Sequence, residues 1–297
     1  MGSRALTATA LTFALLLGAL TPALAQDGPT GAATHATATK GELTPLGAPG
    51  EFTLLSEPRT GADIIGGRSV GRGTHGFVAL IETYDADGAA IGNCTGTLIR
   101  RRWVLTAAHC LAGSRGALVA LRTTRLADLK PSNIHLADAA AIAPTYKPSL
   151  GRNDIGLLRL EKDAKITPIA LAGAGDDRRA TAGRAAKILG WGATDGLVSS
   201  DRLLQGKVTI AGNRDCRAIF GSLWRGGRML CAGSWTTDAC YGDSGGPLLI
   251  RGPKRWVQHG VTSFGDADCA TGDATVYTRA SALRPWIERV TGLAHRR

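Results

Sequence analysis

The segment Gly242-Asp243-Ser244-Gly245-Gly246-Pro247 sets a serine among glycines. A serine hydroxyl becomes a useful nucleophile only when a base takes its proton and something stabilises the oxyanion formed on the substrate. Glycines on both sides of Ser244 permit positive-φ backbone, so that amide N–H groups can converge beside the hydroxyl. The chemistry this suggests is acyl transfer. It needs a histidine as base and an acid to orient that histidine. Two upstream segments offer them: Thr106-Ala107-Ala108-His109-Cys110 and Asn153-Asp154-Ile155-Gly156-Leu157-Leu158.

Chain order discriminates between frameworks. Gly242-x-Ser244-x-Gly246 fits the nucleophile turn of α/β-hydrolases, but there the histidine follows the serine. Only His259 and His295 do so here, and His295 stands almost at the C-terminus. The sequence also lacks the alternating long helices of that fold. The order His109, Asp154, Ser244 instead resembles the chymotrypsin-type serine proteases, in which trypsin also falls. Ala-Ala-His-Cys, Asn-Asp-Ile-x-Leu-Leu and Gly-Asp-Ser-Gly-Gly-Pro are three separate local matches. Gly190-Trp191-Gly192, Met229-Leu230-Cys231-Ala232-Gly233 and Val276-Tyr277-Thr278 extend the resemblance over nearly everything from Ile64 onward.

The resemblance implies roles for named residues. Ser244 is the expected nucleophile, His109 its base, and Asp154 the acid that holds the imidazole tautomer. The backbone N–H groups of Gly242 and Ser244 are expected to form the oxyanion hole. Asp243 is expected to pair with the α-amino group of Ile64 once the chain is cut before it, because Ile64-Ile65-Gly66-Gly67 resembles the start of a mature family member. That pairing makes the chain a zymogen whose oxyanion hole is not ordered until the cut. It should raise the ammonium pKa above an unfolded value of ~8, favouring the ordered state below that value and losing it as pH climbs through the raised one. The activating cut follows Asp63 and not a cation, so a different protease, or further trimming, is implied.

Asp238 stands where trypsin has the acid at the base of its S1 pocket, which implies cleavage after Arg or Lys. Ser263 and Gly265 match the segment whose backbone pairs with substrate, and Gly265 leaves the pocket mouth open. Thr275 takes the place of a glycine and is expected to narrow the slot, as in elastase-like pockets. Six cysteines allow many pairings, and spacing alone leaves them open. The resemblance selects Cys94–Cys110, Cys216–Cys231 and Cys240–Cys269. No acid lies between Leu111 and Ala127, where trypsin holds calcium, and no C-x-x-C pair suggests zinc, so neither metal nor cofactor is expected.

Around these residues the sequence supplies a plain framework. Leu11–Leu20 is a short apolar run after Arg4, followed by Ala23-Leu24-Ala25, which reads as a secretory signal peptide over residues 1–25. No later stretch is long and apolar enough to span a bilayer. Residues 26–63 read as a propeptide, of which Gln26–Gly50 is too poor in large apolar residues to fold alone. Beyond it, strand-length apolar runs punctuated by glycine predict an all-β protein of barrels or sandwiches, and the resemblance implies two antiparallel β-barrels. They are Phe77–Thr83, Thr95–Ile99, Trp103–Ala107, Ala117–Arg122, Ile155–Leu160, Ala185–Leu189, Lys207–Ile210, Pro247–Ile250, Trp256–Ser263 and Ala274–Tyr277. A polar passage, Leu171–Arg184, joins barrels assigned to 64–177 and 178–297. A C-terminal helix is expected with Ser281 as its cap, Pro285 in its first turn, and Leu283, Trp286, Ile287 and Val290 on its buried face.

All six cysteines follow Ile64, which suits an oxidising, extracellular setting. The formal charge is +11, with 35 Lys and Arg against 24 Asp and Glu. That balance favours weak contact with polyanions, the densest cluster being Arg100-Arg101-Arg102. The expected partners are thus protein or peptide substrates, an activating protease and, weakly, polyanions. A catalytically silent basic binding protein on the same fold is the competing reading; such proteins usually lack a triad member, and none is missing here.

Overall fold

Twelve strands make up two closed, six-stranded antiparallel barrels. The computed structural model describes residues 40–47, 64, 66–192, 200–265 and 274–293. The first barrel comprises β1 (Val78–Tyr84), β2 (Ala90–Arg100), β3 (Trp103–Thr106), β4 (Gly116–Ala120), β5 (Ile134–Ile142) and β6 (Gly156–Leu160). It closes where β5 pairs with β6, Ala140 opposite Leu158. The second comprises β7 (Ala185–Gly190), β8 (Leu204–Ile210), β9 (Met229–Gly233), β10 (Pro247–Arg251), β11 (Trp256–Phe264) and β12 (Thr275–Arg279). It closes through β7 and β8, Ile188 opposite Gly206.

Burial explains the two kinds of strand pattern. β1 is buried at every position, being paired on both edges and covered on both faces, so its sequence runs apolar without alternation. β8 alternates: Leu204, Val208 and Ile210 enter the core, while Lys207 and Thr209 face solvent. The first core is also closed from outside by α2 (Ala280–Thr291), which contributes Leu283, Trp286 and Ile287.

The structure departs from the sequence expectation at several elements. β5 was not among the expected strands, because four alanines and Asp138 give it little β propensity. Asp138 sits at a bulge between Ala137 and Ala139 and accepts from Arg159 Nε at 2.7 Å and Arg102 Nη2 at 3.3 Å. β9 and the short helix α1 (Asn213–Phe220) were also absent from it; one disulfide, Cys216–Cys231, joins these two elements. α2 begins at Ala280, so Ser281 lies inside the helix and does not cap it. Its hydroxyl instead donates to Asp177 Oδ1 at 2.7 Å. Pro285 is accordingly the sixth helical residue and not part of the first turn.

Cys94 and Cys110 are bonded to each other, as the resemblance implied. Cys240 is also disulfide-bonded, while its expected partner Cys269 lies outside the described residues. The expected signal peptide and most of the expected propeptide lie outside them too. Among the described residues no helix is long and apolar enough to cross a membrane.

Candidate active site

His109 follows the end of β3, in a turn pinned to β2 by the Cys94–Cys110 disulfide. Asp154 lies two residues before β6, next to Asn153, which adopts a left-handed φ of 53° and donates through its side chain to Thr145 Oγ1 at 3.0 Å. Gly156 allows these two segments to meet. A Cβ there would lie 2.7 Å from Leu111 Cδ1 and 3.0 Å from the Ala107 carbonyl oxygen, on the histidine's own turn. The result is a two-point grip: His109 Nδ1 lies 2.7 Å from Asp154 Oδ2, and the His109 backbone N–H donates to Asp154 Oδ1 at 2.9 Å.

Asp154 is almost wholly buried, whereas the His109 side chain keeps 35% of its surface open. Burial alone would pull the imidazole pKa down. The hydrogen bond to Asp154 and that residue's charge outweigh burial and hold it above its ordinary 6.5. A third group fixes the acid, for Ser263 Oγ donates to Asp154 Oδ2 at 2.6 Å. The Ser263 hydroxyl is thus engaged with the acid, a role the expectation for its backbone did not include.

Ser244 lies on the turn leading into β10, half-buried, with Gly242 and Gly245 at φ of 91° and 81°. Only glycine adopts such angles readily, so the turn depends on both. Among the described residues the Ser244 hydroxyl makes no hydrogen bond, and the N–H groups of Gly242 and Ser244 have no acceptor. Hydrogen bonds from nucleophile to base are often long in unliganded sites and tighten when substrate binds.

The first barrel holds this turn through one residue that sequence reasoning missed. Thr95, fully buried on β2, donates its backbone N–H to the Ser244 carbonyl at 2.8 Å. Its hydroxyl donates to the Gly242 carbonyl at 2.8 Å and accepts from the Trp191 N–H at 3.1 Å. Cys-Thr-Gly reads as an ordinary strand fragment; only the distant partners reveal its role.

Asp243 faces inward and is buried, accepting from the Gly192 N–H and the Cys240 N–H, each at 2.9 Å. Burial pushes its carboxyl up to about 7, against the pull of those two N–H groups, with the nearby charge of Asp238 adding to the rise. Ile64 is fully buried in the same barrel's core, with Ala239 and Ile188 in the same cluster. The Gly242 and Gly245 φ angles above are those of the uncut chain. What Asp243 lacks, among the described residues, is a cation.

The expected specificity residues also converge. Asp238 is buried, with Oδ1 accepting from the Ala239 N–H at 2.8 Å and from the Thr275 hydroxyl. Across from it, a Cβ on Gly265 would sit 3.1 Å from Thr275 Oγ1. Thr275 therefore occupies space between the acid and the glycine.

Comparison with known proteins agrees with this arrangement. The Trypsin family model matches residues 64–287. A chymotrypsin of Phaedon cochleariae is 33% identical over 201 residues, which is 66% of this chain and 71% of that protein. The vitamin K-dependent protein C of Rattus norvegicus is 33% identical over 213 residues, 67% of this chain and 46% of that longer protein. The solved structure of GrC superposes with a TM-score of 0.67 at 29% identity, covering 77% of this chain and all of that one. HL collagenase, at 23% identity and a TM-score of 0.70, covers 78% of this chain and all of that one, and shows the fold alone. The chain belongs to the trypsin family of serine proteases and is a serine endopeptidase.

Proposed function

We propose that this endopeptidase works through Ser244, His109 and Asp154. His109 takes the proton of Ser244 as the hydroxyl attacks the scissile carbonyl, leaving an imidazolium that Asp154 stabilises. The tetrahedral oxyanion is received by the Gly242 and Ser244 N–H groups, each worth about 3 kcal/mol. His109 then gives the proton to the leaving amine, and water repeats the cycle on the acyl-enzyme. The observation that carries this reading is the two-point grip of Asp154 on His109, with the imidazole pKa held up.

The protein is secreted in this reading, with a signal peptide over 1–25 and a propeptide over 26–63, and residues 64–177 and 178–297 form the two barrels. A different protease cuts after Asp63. The Ile64 ammonium then neutralises Asp243, whose burial without a cation is what supports the switch.

Cleavage follows Arg or Lys, attracted by Asp238, with Thr275 limiting the depth of the slot. A second reading, small apolar P1 residues, draws on the same Thr275 hydroxyl set against Asp238 and Gly265. Profiling the cut enzyme and Thr275→Gly on a peptide library separates them. The first reading expects Arg and Lys at P1 in both, with Thr275→Gly raising kcat/KM for them about tenfold; dominant cleavage after Ala or Val in the parent establishes the second.

Weak polyanion contact belongs to the reading as well. A groove of about 1380 Å³ is lined by Arg100, Arg101, Arg178, Lys254 and Arg255, none of them ion-paired among the described residues. Such contact is electrostatic, so retention on a sulfated polysaccharide should vanish with rising salt; retention insensitive to salt would refute it.

A further inference from the structure

The strand β5 has one edge that its barrel does not fill. β4 pairs only with Ile134–Leu136, while β6 takes the opposite edge from Ala137 to Ile142. The vacant stretch is covered by residues 40–47, from within the expected propeptide. Thr44 and Pro45 pair antiparallel with Ala140 and Ala139. The Gly41 N–H donates to the Ile142 carbonyl at 2.6 Å, the Leu46 N–H to the Asp138 carbonyl at 2.9 Å, and the Gly47 N–H to the Arg115 carbonyl at 2.9 Å, just where β4 starts. Leu46 packs on the first barrel's core, Thr44 is buried, and Lys40 Nζ lies 5.9 Å from the Tyr146 ring centre. An open edge of this kind is a template for a further strand, and backbone hydrogen bonds supply the affinity.

Two further observations bear on what happens at activation. All six cysteines lie after Ile64, so no disulfide ties the propeptide to the protease domain. Ile64 is already fully buried while 40–47 is paired, so seating Ile64 does not require that strand to leave. We propose that Lys40–Gly47 stays on the enzyme after the cut before Ile64, as a separate polypeptide held as an added strand on β5. The proposal rests on that cut being the activating one. The added strand covers the edge of the segment that leads to the Asp154 turn, where the Ala143 N–H donates to the Ile155 carbonyl at 2.9 Å.

The test replaces residues 59–63 with the recognition sequence of a site-specific protease whose cut leaves Ile64 first. In a Ser244→Ala background, which prevents self-digestion, the full chain is cut and passed through gel filtration, and the domain peak is analysed by mass spectrometry. The propeptide fragment should co-elute one to one and separate only in denaturant. Leu46→Pro removes the N–H that reaches Asp138, so its fragment should dissociate at least about tenfold faster, while the uncut variant remains folded through its intact domain. A parent fragment that elutes apart from the domain overturns the proposal, as does a Leu46→Pro fragment retained like the parent's. Activity is read in parallel on the Ser244 chain: a retained fragment on an inactive cut enzyme sinks the activation reading alone, and an active, fragment-free enzyme sinks the strand alone.

Discussion

At the scale of single residues, Asp154 governs the orientation and proton affinity of His109. The acid offers both carboxylate oxygens to one histidine and takes a third hydrogen bond from Ser263, so its orientation has little freedom. Catalysis needs the imidazole neutral, and the paired acid holds its pKa above 6.5. Activity of the cut enzyme should therefore rise with pH through an ionisation above that value. Asp154→Asn should shift the ionisation downward and cut kcat by about 10⁴, through loss of the required tautomer. A pH profile of kcat/KM on both proteins measures this; an unchanged ionisation in the variant would contradict the coupling. The proposed triad of His109, Asp154 and Ser244 suggested itself because each sits in a short segment whose residues serve local geometry: glycines for the turn, a cysteine to pin the histidine. Thr95 was not legible, because its partners Gly242 and Ser244 are remote in sequence and its own neighbours require nothing of it.

At the scale of elements, β2 is more than a barrel stave. Through Thr95 it reaches across to the second barrel and holds the turn whose N–H groups are proposed to receive the oxyanion. Thr95→Val keeps the shape and removes the hydroxyl, leaving the Gly242 carbonyl and the Trp191 N–H without a partner. The turn should loosen, lowering kcat by roughly 10–100-fold with KM little changed, since small displacements of positioned donors are costly. Steady-state kinetics decide it, and a change confined to KM would show that Thr95 serves binding alone. The elements that sequence reasoning found are those whose large apolar residues recur in strand-length runs. β5 escaped because alanine fills a tight place without advertising it, and α1 because its polar surface shows only one buried residue, Cys216. Ser281 had the composition of a cap, but Asp177 claimed its hydroxyl.

Across the whole molecule, stability and activation share buried charges. Asp243 holds its proton up to about 7, so between the ordinary carboxylate pKa of 3.8 and about 7 the folded, uncut chain binds more protons than the unfolded one. That group therefore loses stability for the uncut chain as pH rises through this range. His259 acts in the opposite sense. It is buried with neither ring nitrogen hydrogen-bonded among the described residues, and burial pushes its pKa down to about 4. Its unfolded form takes a proton near 6.5, so stability falls as pH drops from there to about 4. Thermal melts of uncut Ser244→Ala chains can tell the two apart. Asp243→Asn should add several degrees at pH 8 and little at pH 4; His259→Gln should gain most at pH 4. Equal effects at both pH values would refute the assigned ionisations. The all-β class was readable from the strand-length apolar runs, while the division into two barrels came from the family resemblance. The strand at 40–47 was not, since its polar, Gly- and Pro-containing sequence finds a place only against an edge that the rest of the chain provides.

Labelling by a serine-reactive phosphonate tests the central claim most directly, because it reports a nucleophile without needing the substrate. The chain cut to begin at Ile64 should be labelled at Ser244 alone, while the uncut chain and cut His109→Ala should react slower by several orders of magnitude. Labelling of the His109→Ala protein at the parent rate, or none in the Ile64 form, would contradict a proton transfer shared by residues 109, 154 and 244.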